Sequence, residues 1–202
     1  MLMIRPIFYL ILGLMPLLSG APRSVLKLDN RPEPNYNLRV LSEEKSIPIA
    51  QGEYVRFTIK NAGIEVDGEF ESYKTKIQYD PNRPTSSIFQ ASIDVGSINT
   101  GIDLRDEHLK EKAEYFDVKR YPKIQFESTS CTLLTNGKLK VVGPLTIKDV
   151  TKVVTLIVDA KTIGSMTYLE SEIKIDRMDY NVGESSWMMG DEVICAIRVA
   201  AN

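Results

Sequence analysis

The residues best equipped for chemistry occupy four consecutive positions, Arg105, Asp106, Glu107 and His108. A guanidinium, two carboxylates and an imidazole could supply a general acid and base, or part of a metal site. Two features argue against both. His108 is the only histidine of the chain and no cysteine lies near it, so the usual tetrahedral zinc ligand set is missing. Consecutive side chains on a helix also leave the axis in different directions and do not converge on one atom. Other catalytic signatures are missing as well: there is no GxSxG, no phosphate-binding loop, no dinucleotide fingerprint and no Cys/His nucleophile pair. The expectation is a protein that is not an enzyme, with no catalytic residue, no metal and no cofactor. Arg105, Asp106 and His108 then read as structural. Asp106 is expected to cap a helix, and Arg105 to hold a strand-end carbonyl or a carboxylate such as Asp117.

The element that carries these residues is the one long segment, Ser97 to Pro122, that does not read as a strand. Asp103 and Asp106 have capping-box spacing, which predicts a helix from Leu104 toward Lys112. Leu104, His108 and Leu109 would form its apolar stripe against a sheet. Tyr115, Phe116 and Val118 follow as an aromatic and aliphatic knob. Pro122 then forces the chain back to an extended conformation.

The flanking sequence alternates with period two. EYVRFTIKN places Val55, Phe57 and Ile59 on one face, and Asn61-Ala62-Gly63 reads as its turn. Gly68 to Tyr79 and SIFQASIDV continue the pattern, separated at Asp80-Pro81-Asn82. KIQFESTSCTLL leads into Asn136-Gly137, a hairpin signal that makes the next strand, through Leu139, Val141, Leu145 and Ile147, its antiparallel neighbour. VTKVVTLIVDA is apolar on both faces, as suits a strand whose second face meets a helix, a lipid or another layer. Tyr168 to Ile175 and EVICAIRVA complete the set. About eight antiparallel strands with one short helical insert exclude a doubly wound parallel sheet. The fold class is mainly β, a lipocalin-like up-and-down barrel, which removes exposed edges and leaves room for side chains or one slender ligand. Alternation does not distinguish a filled interior from a ligand-lined one.

The first 21 residues have one cation, Arg5, an apolar run from Ile7 to Leu18 and small residues at Ser19, Gly20 and Ala21. They read as a signal peptide, with an apolar core shorter than the roughly 20 residues of a membrane span. Ala21 stands where a lipoprotein would need cysteine, and Pro22 is an unfavourable neighbour for cleavage, so an uncleaved tether is the alternative. Residues 22–52 form a Pro-rich lead in which only Tyr36 to Leu41 resembles a strand, and residues 53–202 form the barrel domain. The formal net charge is −2, and loss of residues 1–21 removes one cation and no acid. No electrostatic footprint for nucleic acid is present. Cys131 and Cys195 lie inside apolar strand patterns of an exported chain, where a buried reduced pair and a disulfide are both compatible with the spacing.

Four stretches in order, SINTGIDLRDEHL (Ser97 to Leu109), EYFDVKRYPKIQFEST (Glu114 to Thr129), LTIKDVTKVV (Leu145 to Val154) and GDEV (Gly190 to Val193), resemble the YceI-like polyisoprenoid-binding family. The resemblance covers nearly all of Glu53 to Val199. It implies a lipocalin-like barrel exported to the bacterial periplasm, with an isoprenoid chain, as a polyprenyl lipid or a quinone, held inside. Two departures stand out: Asn61 and Lys148 occupy positions where many members carry histidine, so any head-group role of those histidines does not transfer.

Under that reading the inward candidates given by alternation are Phe57, Ile59, Phe89, Ala91, Ile93, Phe126, Val141, Leu156 and Val158. Trp187, Met188 and Met189, in a loop bounded by Gly183 and Gly190, could form an adaptable apolar lip at a barrel mouth, or a plug with ordinary core contacts. In either case the loop is expected to cover apolar surface. The leading function is non-enzymatic carriage or storage of an isoprenoid lipid. The alternative is a structural or interaction protein whose barrel is filled by its own side chains. Peripheral membrane contact and a homodimer are both compatible with the sequence.

Overall fold

The computed structural model describes residues 52–201. The signal peptide expected over residues 1–21, the strand expected at Tyr36–Leu41 and the rest of the Pro-rich lead up to residue 51 lie outside the described residues. Eleven strands form one antiparallel sheet: β1 (Tyr54–Asn61), β2 (Ile64–Phe70), β3 (Tyr73–Gln78), β4 (Ile88–Asp94), β5 (Ile98–Asn99), β6 (Lys123–Glu127), β7 (Ser130–Leu133), β8 (Leu139–Ile147), β9 (Val150–Ile163), β10 (Met166–Asp176) and β11 (Met189–Ala200). Among the described residues a single α-helix, α1 (Asp103–Glu111), is inserted between β5 and β6.

The pairing order is β3-β4-β6-β8-β9-β10-β11-β1-β2-β5, with β7 beside β8. The expectation of about eight strands holds once three bends are recognised. β2 and β3 are one run bent at Glu71-Ser72, β4 and β5 are one run bent at a 3-10 turn over Val95–Ser97, and β6 and β7 are one run interrupted at Ser128-Thr129. The first bent run carries the sheet round on itself, because β2 pairs with β1 while β3 pairs with β4. The two bends are stitched together: Glu71 N donates to Ser97 O at 3.1 Å, and Asp94 N donates to Ser72 O at 2.8 Å. A strongly curled sheet results. At the third bend, Gly143 of β8 admits the neighbouring chain, since a Cβ there would lie 2.0 Å from Glu127 O.

The alternating inward residues form the core in two clusters. One contains Val55, Phe70, Val95, Ile98, Ile124, Leu145, Ile147 and Tyr180. The other contains Ile77, Phe89, Cys131, Leu139, Val141, Val158, Leu169 and Val199. Both cysteines are free thiols, Cys131 buried and Cys195 half-buried.

The structure corrects three local expectations. α1 has no side-chain cap, and Ile102 rather than Asp103 occupies its N-cap position. Its inward side is formed by Arg105, Asp106 and Leu109, while Leu104 (61% exposed) and His108 face solvent. The apolar stripe fails because Asp106 and Arg105 find polar partners under the helix and take the place of Leu104. Finally, the outward face of β9 is covered neither by α1 nor by a second layer among the described residues, and Val153 is 73% exposed.

Candidate functional site

Two apolar chambers lie along the inside of the curled sheet. Chamber 1, with a volume of about 150 Å³, is walled by Phe89, Ala91 and Ile93 of β4, Phe126 of β6, Leu156 and Val158 of β9, and Leu169 to Ile175 of β10. Chamber 2, about 160 Å³, is walled by Ile59 of β1 and Val66 of β2, by Leu109 of α1, by Tyr115 and Phe116 of the insert, and by Tyr180, Val182 and Met189. Phe57, Phe70, Ile124, Ile147, Ile175 and Cys195 line both and form the waist between them.

Phe57 crosses the waist because its cross-strand partner is Gly68. A Cβ at Gly68 would lie 2.3 Å from Phe57 Cζ, so the ring lies over the bare glycine backbone. It then meets Phe70 at 5.6 Å between centroids, and Phe70 meets Phe116 edge-on at 6.3 Å. Such tilted and edge contacts are favoured between aromatic rings. The row of three rings ties β1 and β2 to the helical insert.

Of the inward candidates, Phe57, Phe89, Ala91, Ile93, Phe126, Leu156 and Val158 line chamber 1, and Phe57 and Ile59 line chamber 2. Val141 lines neither. It has no exposed surface and sits in the packed cluster with Leu139 and with Cys131, its cross-strand partner on β7. Trp187 stands 93% exposed and covers nothing, contrary to the expected lip or plug, and Met188 is 43% exposed. Only Met189 of that loop turns inward, to chamber 2. Ala62 N donates to Met188 O at 2.6 Å, which fastens the loop to the β1–β2 turn beside the exposed Ile64.

Charged residues fix the chamber 2 end, and the sequence reading overlooked the most buried of them. Arg177, 5% exposed, donates Nε to Gly190 O at 2.9 Å, one terminal nitrogen to Val182 O at 2.8 Å, and the other to Glu184 O at 3.0 Å and Asp191 Oδ1 at 2.8 Å. One side chain thereby shapes the entire loop from Val182 to Asp191. The GDEV stretch was the available signal, since its Asp191 is the carboxylate that neutralises this guanidinium. Arg105 donates to Thr100 O and to Thr100 Oγ1, each at 2.6 Å, while Asp106 accepts from Thr100 N. Asp117 instead pairs with Arg120 at 3.4 Å.

Lys148, in the β8–β9 turn, reaches Ala113 O at 2.9 Å and Asn181 O at 2.8 Å, and so latches the insert to the turn after β10. Burial pulls its pKa below that of a free lysine. Gly183 N adds a second tie, to Glu114 O at 2.5 Å. Asn61 lines chamber 2. Cys195 turns its accessible surface to the chambers rather than to bulk water, and desolvation pushes its thiol up to about 12. It is therefore a wall residue and not a nucleophile. No cluster of three or more histidine, cysteine or acidic side chains suited to a metal forms among the described residues. No helix among them is long and apolar enough to cross a membrane.

A small antiparallel barrel with an apolar axis and its polar groups spent on loop geometry belongs to the lipocalin-like class of architecture. The chain is a member of the YceI-like domain family, which matches residues 49–201. The protein YceI of Salmonella arizonae is 30% identical over 169 residues, spanning 79% of this chain and 86% of that protein. Among solved structures, BcnA of Burkholderia cenocepacia is similar with a TM-score of 0.70 and 26% identity, over 74% of this chain and 96% of its own. The Campylobacter jejuni YceI protein gives a TM-score of 0.61 at 27% identity, over 68% of this chain and 84% of its own. A polyisoprenoid binding domain from Saccharophagus degradans, implicated in plant cell wall breakdown, shares the fold at a TM-score of 0.57 and 15% identity, over 73% of this chain and 92% of its own.

Proposed function

We propose that this protein binds an isoprenoid lipid, a polyprenyl chain or a quinone, along the two chambers, and carries or stores it without chemical change. The observation that carries the reading is the pair of apolar chambers inside the curled sheet, which share Phe57, Phe70, Ile124, Ile147, Ile175 and Cys195 as wall residues and lie end to end as a slender hydrocarbon would need. Burying a methylene contributes roughly 0.8 kcal/mol, so several isoprene units supply more than about 10 kcal/mol before ordering costs. The Saccharophagus relative, described as binding polyisoprenoid, supports the same ligand class. The N-terminal segment favours export to the periplasm, where such a lipid needs an apolar shelter between membranes. The exposed Trp187, Met188 and Ile64, at the chamber 2 end, provide an apolar contact for a membrane surface during loading.

Uptake tests the reading. The full chain, stripped of lipid by solvent and refolded, is expected to take up a polyprenol from mixed micelles at one molecule per chain. Trp in place of Ala91, in the chamber 1 wall, is expected to reduce that uptake at least tenfold while the protein stays folded. Equal uptake by both proteins would place the lipid elsewhere.

A further inference from the structure

The outer face of the sheet is charged on one side and bare of charge on another. On the β1–β2 hairpin the outward cross-strand pairs are Arg56 with Glu69, Thr58 with Asp67 and Lys60 with Glu65. The β8–β9 hairpin differs. Its inward residues alternate as the buried Leu139, Val141, Leu145 and Ile147, and the side chains between them point out. From the turn downward, Thr146 stands opposite Thr151, Pro144 opposite Val153, and Val142 opposite Thr155. Ile157 follows, beside Lys140. Val153 is 73% and Ile157 40% exposed, and the hydroxyls of Thr146 and Thr151 are joined at 2.8 Å. β-Branched side chains are stiff and present a flat pleated surface. A flat face with apolar side chains at its centre and no charge has the composition of an interface core.

The two ends of this face carry opposite charges. At the base Lys140 has no ion pair among the described residues, since the neighbouring Lys138 is the one that reaches Asp159, at 3.8 Å. In the turn Asp149 is exposed and accepts the Tyr121 hydroxyl at 3.3 Å. About nine residues of extended strand separate Lys140 from Asp149, roughly 30 Å, so the two cannot meet within one chain.

We propose that a second copy of this chain covers the outer face of the β8–β9 hairpin, in a two-fold dimer whose axis crosses the strands at the Pro144–Val153 pair. Two hairpins packed face to face about that axis run antiparallel, as aligned sheets pack. Val153 then meets its own copy, Thr155 lies over Thr151, and Lys140 of each protomer comes over the turn that carries Asp149 of the other. Every contact occurs twice, as a two-fold interface requires. Opposite charges at the two ends are what this axis brings together, whereas a lipid surface would gain nothing from that arrangement. The turns of the two protomers point in opposite directions, and so do the two chamber 2 ends that Lys148 fastens.

The test is sedimentation equilibrium of protein purified from a bacterial envelope. Wild type is expected to show a reversible monomer–dimer equilibrium. Val153→Lys places two like charges at the axis and is expected to raise the dimer Kd at least about tenfold. Lys140→Glu and Asp149→Lys are each expected to raise it about threefold or more, because each creates two like-charge contacts. The double variant Lys140→Glu with Asp149→Lys should return to within about twofold of wild type, a rescue that only contact between chains supplies. A wild type that stays monomeric at its highest soluble concentration would overturn the proposal. A dimer indifferent to Val153→Lys would do so as well, and failure of the double reversal to rescue would overturn the axis. Monomeric protein that binds phosphatidylethanolamine vesicles, with the binding lost in Val153→Lys, would assign the face to a membrane instead.

Discussion

The carboxylate of Asp106 accepts the backbone N–H of Thr100 at 3.0 and 3.2 Å, reaching back from within the helix to the residue that follows β5. This contact, with the two Arg105 bonds to the same threonine, anchors α1 to the sheet. It also places Leu109 against the core and Phe116 against Phe70. The motif that could have carried acid–base chemistry serves here as the hinge pin of the chamber 2 wall.

Asp106→Ala is therefore expected to destabilise the protein by about 1–3 kcal/mol, because the part-buried N–H and hydroxyl of Thr100 lose their acceptor together. His108→Ala, on the solvent side of the same helix, is expected to stay within about 0.5 kcal/mol of wild type. Urea unfolding of the two variants checks the contrast. Equal stabilities would mean that the Thr100 contact does not anchor the helix.

Gly68→Ala places a methyl group where the Phe57 ring lies. Overpacking of this kind costs about 1–3 kcal/mol, and here it must also displace the ring at the waist between the chambers. The expected outcome is a lowered denaturation midpoint with slower exchange of bound lipid. Gly68→Ala combined with Phe57→Leu should recover much of the stability.

Lys148→Met removes the two donors that join Ala113 to Asn181 and keeps most of the side-chain volume. The insert and the loop after β10 should then part more readily. Dissociation of a bound isoprenoid is expected to accelerate several-fold, with a loss of about 1 kcal/mol or more in stability. An unchanged off-rate would show that chamber 2 does not open at this seam.

The strand pattern, the hairpin at Asn136-Gly137 and most inward residues could be read from the sequence, because period-two alternation is a direct consequence of pleating. The bends at Glu71-Ser72 and Val95–Ser97 could not, since nothing local distinguishes a bent strand from two hairpin-linked ones. The helix face was misjudged at Leu104 for a related reason: hydrophobicity assigned the stripe, but Thr100 offered polar partners that drew Asp106 and Arg105 underneath. Val141 has the parity of the ligand wall, yet it is fully packed against its neighbours Cys131 and Leu139. Arg177 escaped notice because a lone arginine after a strand has no periodic signature. Its role follows from the loop carbonyls it gathers together with Asp191 of the GDEV stretch.

Cys195 sets a pH dependence. Its folded thiol is raised by desolvation to about 12, above the free value, so the unfolded chain releases the proton first as pH rises. Its contribution to stability is fully present below pH 9 and is lost between about 9 and 12. Thermal unfolding temperatures should fall across that window, and less steeply in Cys195→Ala. Cys131, Tyr73 and Tyr180, also raised chiefly by burial, add to the decline in both proteins, so the Cys195 contribution is read from the difference between wild type and Cys195→Ala.

The central claim is that the waisted interior holds an isoprenoid, and the most direct measurement is mass spectrometry of an organic extract from protein purified without detergent out of a bacterial envelope. A stoichiometric isoprenoid is expected, lost from the Ala91→Trp variant prepared in parallel. A clean extract from wild type, followed by no uptake of polyprenols or quinones offered in vitro, would contradict it and identify a barrel packed by its own side chains.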